Sequence, residues 1–216
     1  MTQVMRDDSG DRELDALLQS ASGDDQGAMA IAFDRYRGRL ERMVHLRLDP
    51  RVRGRVGIED VVQDVYIEAA RRLPKFLQER NLPFFLWLRL ITGQKIIEMH
   101  RHHGALRRDV GREQAAHDWR RSDSGSAAFA RAFAASQTSP SGVAVRHEIE
   151  AKIKSAMNAL DPIDREVILL RHYEALSNQD TAQTLGITPN AAAQRHFRAL
   201  KRLKGVLEHF PGELGA

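Results

Sequence analysis

The chain has 216 residues, a formal net charge of +4 and no cysteine, and 42% of its residues are hydrophobic while 29% are charged. The missing cysteines exclude disulfides and thiolate metal sites, and the composition predicts a soluble protein with enough apolar residues for a core. No run approaches the roughly 18 apolar residues of a membrane span, and no apolar signal segment opens the chain. We therefore expect a cytoplasmic protein without membrane insertion.

The composition also predicts the fold class. Aromatic residues make up 6% of the chain, few segments alternate as strands do, and helix-favouring residues are abundant, so we expect an all-α protein. After an acidic segment over residues 1–26 with a short helix, residues 27–104 should form one small helical domain. Residues 105–142, with a stretch rich in Ala, Ser and Gly, are expected to be a flexible linker with a weak helix around Ala127 to Ala135. Residues 143–210 should form a second helical domain that contains a helix-turn-helix.

Apolar spacing predicts helices in the first domain over residues 27–48, 58–73 and 84–103. Because proline interrupts helical hydrogen bonding, the segment between Pro74 and Pro83 is expected to be a loop.

The second of these helices carries an acidic stripe. Asp60, Gln63 and Asp64 stand at positions i, i+3 and i+4, opposite a valine-rich face. The stripe fits either an ordinary solvated surface or a docking site for a basic partner helix, and the spacing leaves both interpretations open.

The third helix combines aromatic and basic residues. Phe84, Phe85 and Trp87 stand at its start, and lysine, arginine and histidine residues crowd its end. Exposed rings beside cations would suit single-stranded nucleic acid, since rings stack on bases and cations hold the backbone. In a small helical domain some of these rings must instead belong to the core.

The residues predict no enzyme, metal or cofactor. His100 and His103 share a helix face near Glu98, but no second ligand pair with fitting spacing accompanies them. A nucleophile with its base and a phosphate-binding glycine loop are likewise absent from the sequence. The histidines are better explained as part of a basic surface.

Residues 176–204 read as a helix-turn-helix. Ala182 is small enough for close helix packing, Gly186 permits the positive φ of a tight turn, and Thr188 with Pro189 can begin the next helix. Residues 188–204 contain five basic residues and no acidic one, which favours contact with DNA phosphates. Similar helix corners also occur in proteins that do not bind DNA.

Together these segments resemble an extracytoplasmic-function sigma factor of bacterial RNA polymerase. EDVVQDVYIEA resembles the region 2 helix that docks on the polymerase clamp, which implies a core-polymerase site at Asp60, Gln63 and Asp64. FFLWLRLITGQKIIEMHRHH resembles the helix that opens and reads the minus-ten element. The segment from LDPIDREV to RALKRLK resembles region 4, which binds the minus-thirty-five element.

The resemblance implies the DNA contacts by position. The residues on the minus-ten helix are Phe84, Phe85, Trp87, Lys95, Glu98, His100 and Arg101. The residues on the minus-thirty-five helix are Asn190, Gln194, Arg195, Arg198, Lys201 and Arg202. The chain departs from many relatives in having Gln94 for Asn, Leu90 for a basic residue, and alanines at 191–193 for polar residues.

A sigma factor catalyses nothing. It binds core RNA polymerase and promoter DNA, directs promoter-specific initiation, and is usually held by an anti-sigma factor. The alternatives are a stand-alone helix-turn-helix transcriptional regulator and, from another class, a metal-dependent nuclease or RNA-binding enzyme that uses His100, His102 and His103.

Overall fold

The computed structural model describes residues 18, 26–79, 82–105, 123–137 and 143–208. They belong to two compact units, drawn from Met1–Ala116 and His117–Ala216. The described residues form helices and turns without a strand, which confirms the predicted all-α fold. The helix predicted over 11–21 lies outside the described residues, apart from the buried, helical Leu18.

Besides the helical Leu18, the described part of the first unit contains three long helices and a short one. They are α1 (Gln26–Arg47), α2 (Pro50–Arg53), α3 (Ile58–Glu79) and α4 (Phe84–Ala105). Both α3 and α4 pack against α1 and against each other. Phe33 of α1 meets Tyr66 of α3 edge to face, with ring centroids 5.1 Å apart. The apolar stripe of α3 is buried, as the spacing predicts, so its polar stripe faces outward.

Pro74 does not end α3, which continues to Glu79. The predicted loop between Pro74 and Pro83 is therefore shorter than expected. An interior proline costs about 3 kcal/mol, but Leu73 and Phe76 on either side of it are both buried. Packing of Phe76 against Trp87, with ring centroids 4.4 Å apart, helps to offset that cost.

The second unit contains a helical hairpin and the helix-turn-helix. Its helices are α5 (Asp123–Gln137), α6 (Val143–Asn158), α7 (Pro162–Ile168) with a π-helical continuation (Leu169–Tyr173), α8 (Asn178–Leu185) and α9 (Pro189–Glu208).

Helix α5 lies within residues 105–142, where a flexible linker is expected. It packs along α6 and buries Ala128, Phe129, Ala130 and Ala134. Alanine loses no side-chain entropy in a helix and allows close approach, so an alanine-rich segment with two phenylalanine rings can dock. Residues 106–122 and 138–142 lie outside the described residues.

The turn between α8 and α9 has the predicted chemistry. Ser177 caps α8 by accepting a hydrogen bond from the Asp180 amide at 3.0 Å. Gly186 ends α8 with φ of 65°, and the Ile187 amide donates to the Ala182 carbonyl at 3.0 Å. Thr188 then caps α9 by accepting from the Ala191 amide at 3.2 Å. The helix-turn-helix is thus fixed by local hydrogen bonds at each end of the turn.

None of the described helices is long and apolar enough to cross a membrane.

Substitutions at two glycines test whether the positive φ at Gly186 requires glycine. A Cβ added at Gly186 or at Gly205 would meet no atom within 4 Å, but only Gly186 has a positive φ. We expect Gly186→Ala to lower the free energy of unfolding by about 1 kcal/mol because of the left-handed backbone. Gly205→Ala, inside α9, should raise it by about 1 kcal/mol because alanine favours the helix. Denaturant titration measures both values, and equal effects at the two positions would contradict the argument.

Candidate nucleic-acid interface

Helix α9 buries one stripe and exposes the opposite one. Ala192, Ala199 and Leu203 lie on the buried side, and both alanines are completely inaccessible. The exposed stripe follows helical spacing along the opposite face and comprises Asn190, Ala193, Gln194, Phe197, Arg198 and Lys201. The structure therefore brings together four predicted minus-thirty-five residues, Asn190, Gln194, Arg198 and Lys201.

Arg195 lies outside this stripe, on the flank of α9 that faces α7. Its guanidinium donates to the Asp164 carboxylate at 2.8 Å, and Asp161 lies 3.8 Å away. Asp164 is 4% exposed, so Arg195 neutralises a buried carboxylate at the start of α7. Arg195 thereby fastens α9 to α7 instead of projecting from it. Arg202 is exposed on the same flank, 4.0 Å from the other oxygen of Asp164.

Phe197 is the residue that sequence reasoning missed. It is 69% exposed in the middle of the exposed stripe, and a shallow pocket there is lined by Ala193, Gln194, Phe197 and Arg198. The sequence did carry a signal, because Phe197 falls at helical spacing from Asn190, Gln194 and Lys201. A large exposed ring on a basic helix can make apolar contacts with the edge of a base.

Helix α4 does not expose the aromatic platform that was expected. Phe84 and Phe85 are 3% and 7% exposed, and both pack on Tyr36, with centroid distances of 6.2 and 5.1 Å. Trp87 is half-buried and stacks on Phe76. Both rings therefore supply the core of a small helical unit, and their contact with bases stays a prediction.

His100 also has a structural role. Its Nε2 accepts the backbone N–H of Asp49 at 3.0 Å, where α1 gives way to α2. Burial lowers the pKa of His100, although the Asp49 carboxylate acts in the opposite direction. A neutral His100 ring that accepts this bond helps to hold the junction of α1 and α2, and its DNA contact stays a prediction.

The outer face of α4 carries a different set of side chains. Leu90 is 51% exposed, and Gln94, Glu98 and Arg101 continue the stripe toward the end of the helix. Lys95 is largely covered and donates to Glu98 at 3.1 Å. The face is therefore polar with one apolar position, and Arg101 is its exposed cation among the predicted residues.

Gln94 is oriented by α3. Its Oε1 accepts a hydrogen bond from Arg72 at 2.8 Å, and Arg72 also pairs with Glu68. Hydrogen bonds from Arg71 and then Arg72 lower the pKa of Glu68 to about 2, against the opposing effect of burial. The carboxylate of Glu68 therefore stays charged and holds both arginines on this side of α3.

The predicted acidic stripe lies on the surface of α3. Asp60, Gln63 and Asp64 are all exposed, and Ile67, 57% exposed, continues the stripe one turn further. Asp60 has a second role, since its Oδ2 accepts the Gly57 amide at 3.1 Å and so caps the helix. The stripe is therefore two exposed acids and an amide beside an exposed isoleucine.

Within the described part of the chain, no group of three or more His, Asp or Glu side chains could hold a metal ion.

Comparison with known proteins identifies the family. Residues 32–106 match the sigma-70 region 2 family, and residues 150–203 match sigma-70 region 4. The RNA polymerase sigma factor CnrH of Cupriavidus metallidurans is 30% identical, over 70% of this chain and 73% of its own length. SigD, an extracytoplasmic-function sigma factor of Mycobacterium tuberculosis, is 27% identical over 88% of this chain and 82% of its own.

The chain belongs to the extracytoplasmic-function sigma factors. As such it is a promoter-recognising initiation factor that binds core RNA polymerase and promoter DNA and catalyses no reaction. The structure of CnrH in complex with the cytosolic domain of CnrY shares the fold, with a TM-score of 0.53 and 24% identity. That likeness covers 93% of this chain and 99% of the CnrH chain.

The family regions correspond to parts of the two units of the sigma factor. Region 2 spans most of α1 and all of α2, α3 and α4, and region 4 spans the second half of α6 through most of α9. Helix α5 belongs to neither region, although it packs against α6 in the second unit.

Arg195 and Arg198 form a matched pair for testing whether Arg195 stabilises the fold through Asp164 while Arg198 does not. Arg195→Ala leaves the buried Asp164 without its closest partner, so we expect the free energy of unfolding to fall by about 1–3 kcal/mol. Arg198→Ala removes an exposed side chain and should change it by less than about 0.5 kcal/mol. Thermal or denaturant unfolding of both variants measures the difference. A destabilisation by Arg198→Ala as large as that by Arg195→Ala would contradict the assignment.

Proposed function

We propose that this sigma factor divides promoter recognition and polymerase binding among three surfaces. The exposed stripe of α9 contacts the minus-thirty-five element, the outer face of α4 contacts the minus-ten element, and the acidic stripe of α3 docks on core polymerase. Because core polymerase and the chromosome share the bacterial cytoplasm, the sigma factor would act there.

The observation that carries the proposal is the division of α9 into two faces. A helix that buries alanines on one side and projects amides, a ring and cations on the other is suited to the major groove. Arg198 and Lys201 would hold phosphates and set the register. Asn190 and Gln194 would donate to and accept from base edges, and Phe197 would contact a thymine methyl group.

On α4, recognition would depend on the exposed face and not on an aromatic platform. Unstacking a base costs a few kcal/mol of free energy, and contacts between the protein and the opened DNA strand must offset that cost. Trp87, Gln94 and Arg101 are accessible on this helix, and they offer a partly exposed ring, an amide and a cation. Phe84 and Phe85 would contribute by keeping α4 firmly packed.

The docking surface on α3 combines charge with an apolar centre. Asp60, Gln63 and Asp64 adjoin Ile67, and interfaces commonly place an apolar residue within a polar rim. A basic helix of the polymerase would pair with the two carboxylates and cover the isoleucine.

A protein inhibitor is a further proposed partner. The related CnrH was solved in complex with the cytosolic domain of CnrY, which supports an anti-sigma factor for this chain as well.

Run-off transcription with purified core polymerase on a promoter library tests the function. We expect the sigma factor to direct initiation on a subset of templates on which core polymerase alone starts no specific transcript. Tight duplex binding by the chain alone, with no specific transcript on any template, would instead support a stand-alone regulator and overturn the proposal.

Asp64→Arg tests the docking surface without disturbing a helix cap. Placing a cation against a basic partner should weaken binding to core polymerase by about tenfold or more. Glu79→Arg is the control, because it makes the same charge change at the far end of α3, where Glu79 pairs with exposed Lys75. Affinity for core polymerase, measured by fluorescence anisotropy, should fall in the first variant and stay unchanged in the second. Unchanged binding of the Asp64 variant would remove this docking assignment.

Alanine substitutions at Phe197 and Lys201 distinguish contact with bases from contact with phosphates. Phe197→Ala should weaken binding of holoenzyme to its selected promoter by about 1–3 kcal/mol with little change in salt dependence. Lys201→Ala should weaken binding to all sequences and reduce the slope of log affinity against log salt by about 1. Titrations at several salt concentrations measure both effects. If both variants lose affinity uniformly across sequences, Phe197 does not read a base.

A further inference from the structure

Two histidines meet head-on at the edge of α9, where His172 is exposed and His196 is half-buried. His172 belongs to the π-helical turn after α7, and His196 belongs to α9. Their Nε2 atoms are 2.7 Å apart, the ring centroids 5.0 Å apart, and the ring planes 28° apart. The nitrogens are so much closer than the centroids that both must lie on the line that joins the rings. The contact is therefore an in-line N–H···N hydrogen bond and not a face-to-face stack.

This bond constrains the protons on both rings. One Nε2 must carry the hydrogen and the other must present its lone pair, so two neutral rings adopt opposite tautomers. If only one ring is protonated, it can still donate to its neutral partner. If both rings are protonated, two N–H donors face each other and neither ring offers an acceptor. A metal ion does not fit between these nitrogens, because bonds of about 2.0–2.1 Å on one line would require a much wider gap.

The pair and the Arg195 ion pair hold α9 at two separate points. Arg195 and His196 lie on either side of the buried stripe formed by Ala192, Ala199 and Leu203. Their partners, Asp164 and His172, stand eight residues apart along α7 and its continuation, about 12 Å at an α-helical rise. Contacts at two points on opposite flanks set both the crossing direction and the rotation of α9 about its axis.

The turn that carries His172 is itself firmly held. The Leu176 amide donates to the Leu170 carbonyl at 2.8 Å, and Arg171 donates to the Leu176 carbonyl at 2.9 Å. Ala175 adopts a φ of 55°, a left-handed conformation that is uncommon for alanine and persists where surrounding contacts enforce it. His172 therefore offers α9 a fixed point of attachment.

We propose that His172 and His196 are positioning residues for minus-thirty-five recognition: their shared hydrogen bond fixes the rotation of α9, and it opens when both rings are protonated. The inference rests on the proposed role of α9 and adds to it a proton-dependent contact that sets which side chains face the bases.

The electrostatic surroundings fit this assignment. Burial lowers the pKa of His196 to about 4, with further contributions from His172 and Arg171, and burial and then Arg171 lower the pKa of His172. Folded protein thus binds fewer protons than the unfolded chain between pH 6.5 and about 4, so its stability falls as the pH drops through this range.

Other charged groups on the packed elements have their own partners. They include Asp164 with Arg195, Asp180 with Ser177, Arg165 with the carbonyls of Asn158 and Leu160, Lys152 with Glu148, and Arg131 of α5 with Glu150 of α6. The buried carboxylates Glu166 of α7 and Glu174 of the turn also have partners.

Side-chain nitrogen NMR of the full chain tests the bond directly. At pH 7.5 we expect His172 and His196 in opposite tautomers, and at pH 5 the His196 ring should stay neutral. In His172→Ala, the pKa of His196 should rise. Identical tautomers, or a His196 titration that His172→Ala leaves unchanged, would overturn the proposal.

Promoter discrimination tests the positioning role at pH 7.5. The measurement is the ratio of holoenzyme affinities for a selected promoter and for the same promoter with a scrambled minus-thirty-five element. We expect His196→Ala to reduce this ratio about tenfold, the effect of losing one base contact. His196→Gln, which can still bond to His172, should retain most of it, and His147→Ala should retain all of it.

The results distinguish a failure of promoter recognition by α9 from a failure of the histidine pair to position it. If wild-type holoenzyme fails to discriminate between the two promoters, the proposed function of α9 is wrong. If the wild type and His196→Ala discriminate equally well, α9 reads DNA but the histidine pair does not position it.

Discussion

The orientation of α9 depends on its close packing against α7. Ala192 and Ala199 are completely buried, and side chains of this size let the two helices approach closely. The same seating determines which residues of α9 face outward, because burying one stripe exposes the stripe opposite. A larger residue at either alanine would displace or rotate the helix, and every contact on its outer face would move with it.

In the first unit, larger side chains fix the orientation of a helix, α4. Phe76, Phe84 and Phe85 fill the space between α1, α3 and α4, with Arg39 lying over the Phe85 ring at 3.6 Å. Burial of these rings fixes α4 and leaves its polar face outward. In both units, some residues that the sequence predicts as DNA contacts also hold a helix in place, as Phe84 does in α4 and Arg195 in α9.

Local chemistry was predictable from the sequence, and long-range pairing was not. The turn at Gly186 could be foreseen because its requirement for a positive φ lies within a few residues. The ion pair of Arg195 could not, because its partner Asp164 is 31 residues away and an arginine on a basic helix looks like a phosphate ligand. For Phe84, the helix was predictable, but the direction of the ring depended on where Tyr36 and Phe76 lie.

The most direct measurement of the central claim is site-specific photo-crosslinking of holoenzyme to promoter DNA from single positions on α9. The seating described here predicts efficient crosslinks to the minus-thirty-five element from positions 194, 197 and 201, and few or none from positions 195 and 199. Crosslinks from position 195 as efficient as those from 197 would contradict this orientation, because the buried stripe and its flanking ion pair would then have to face the DNA.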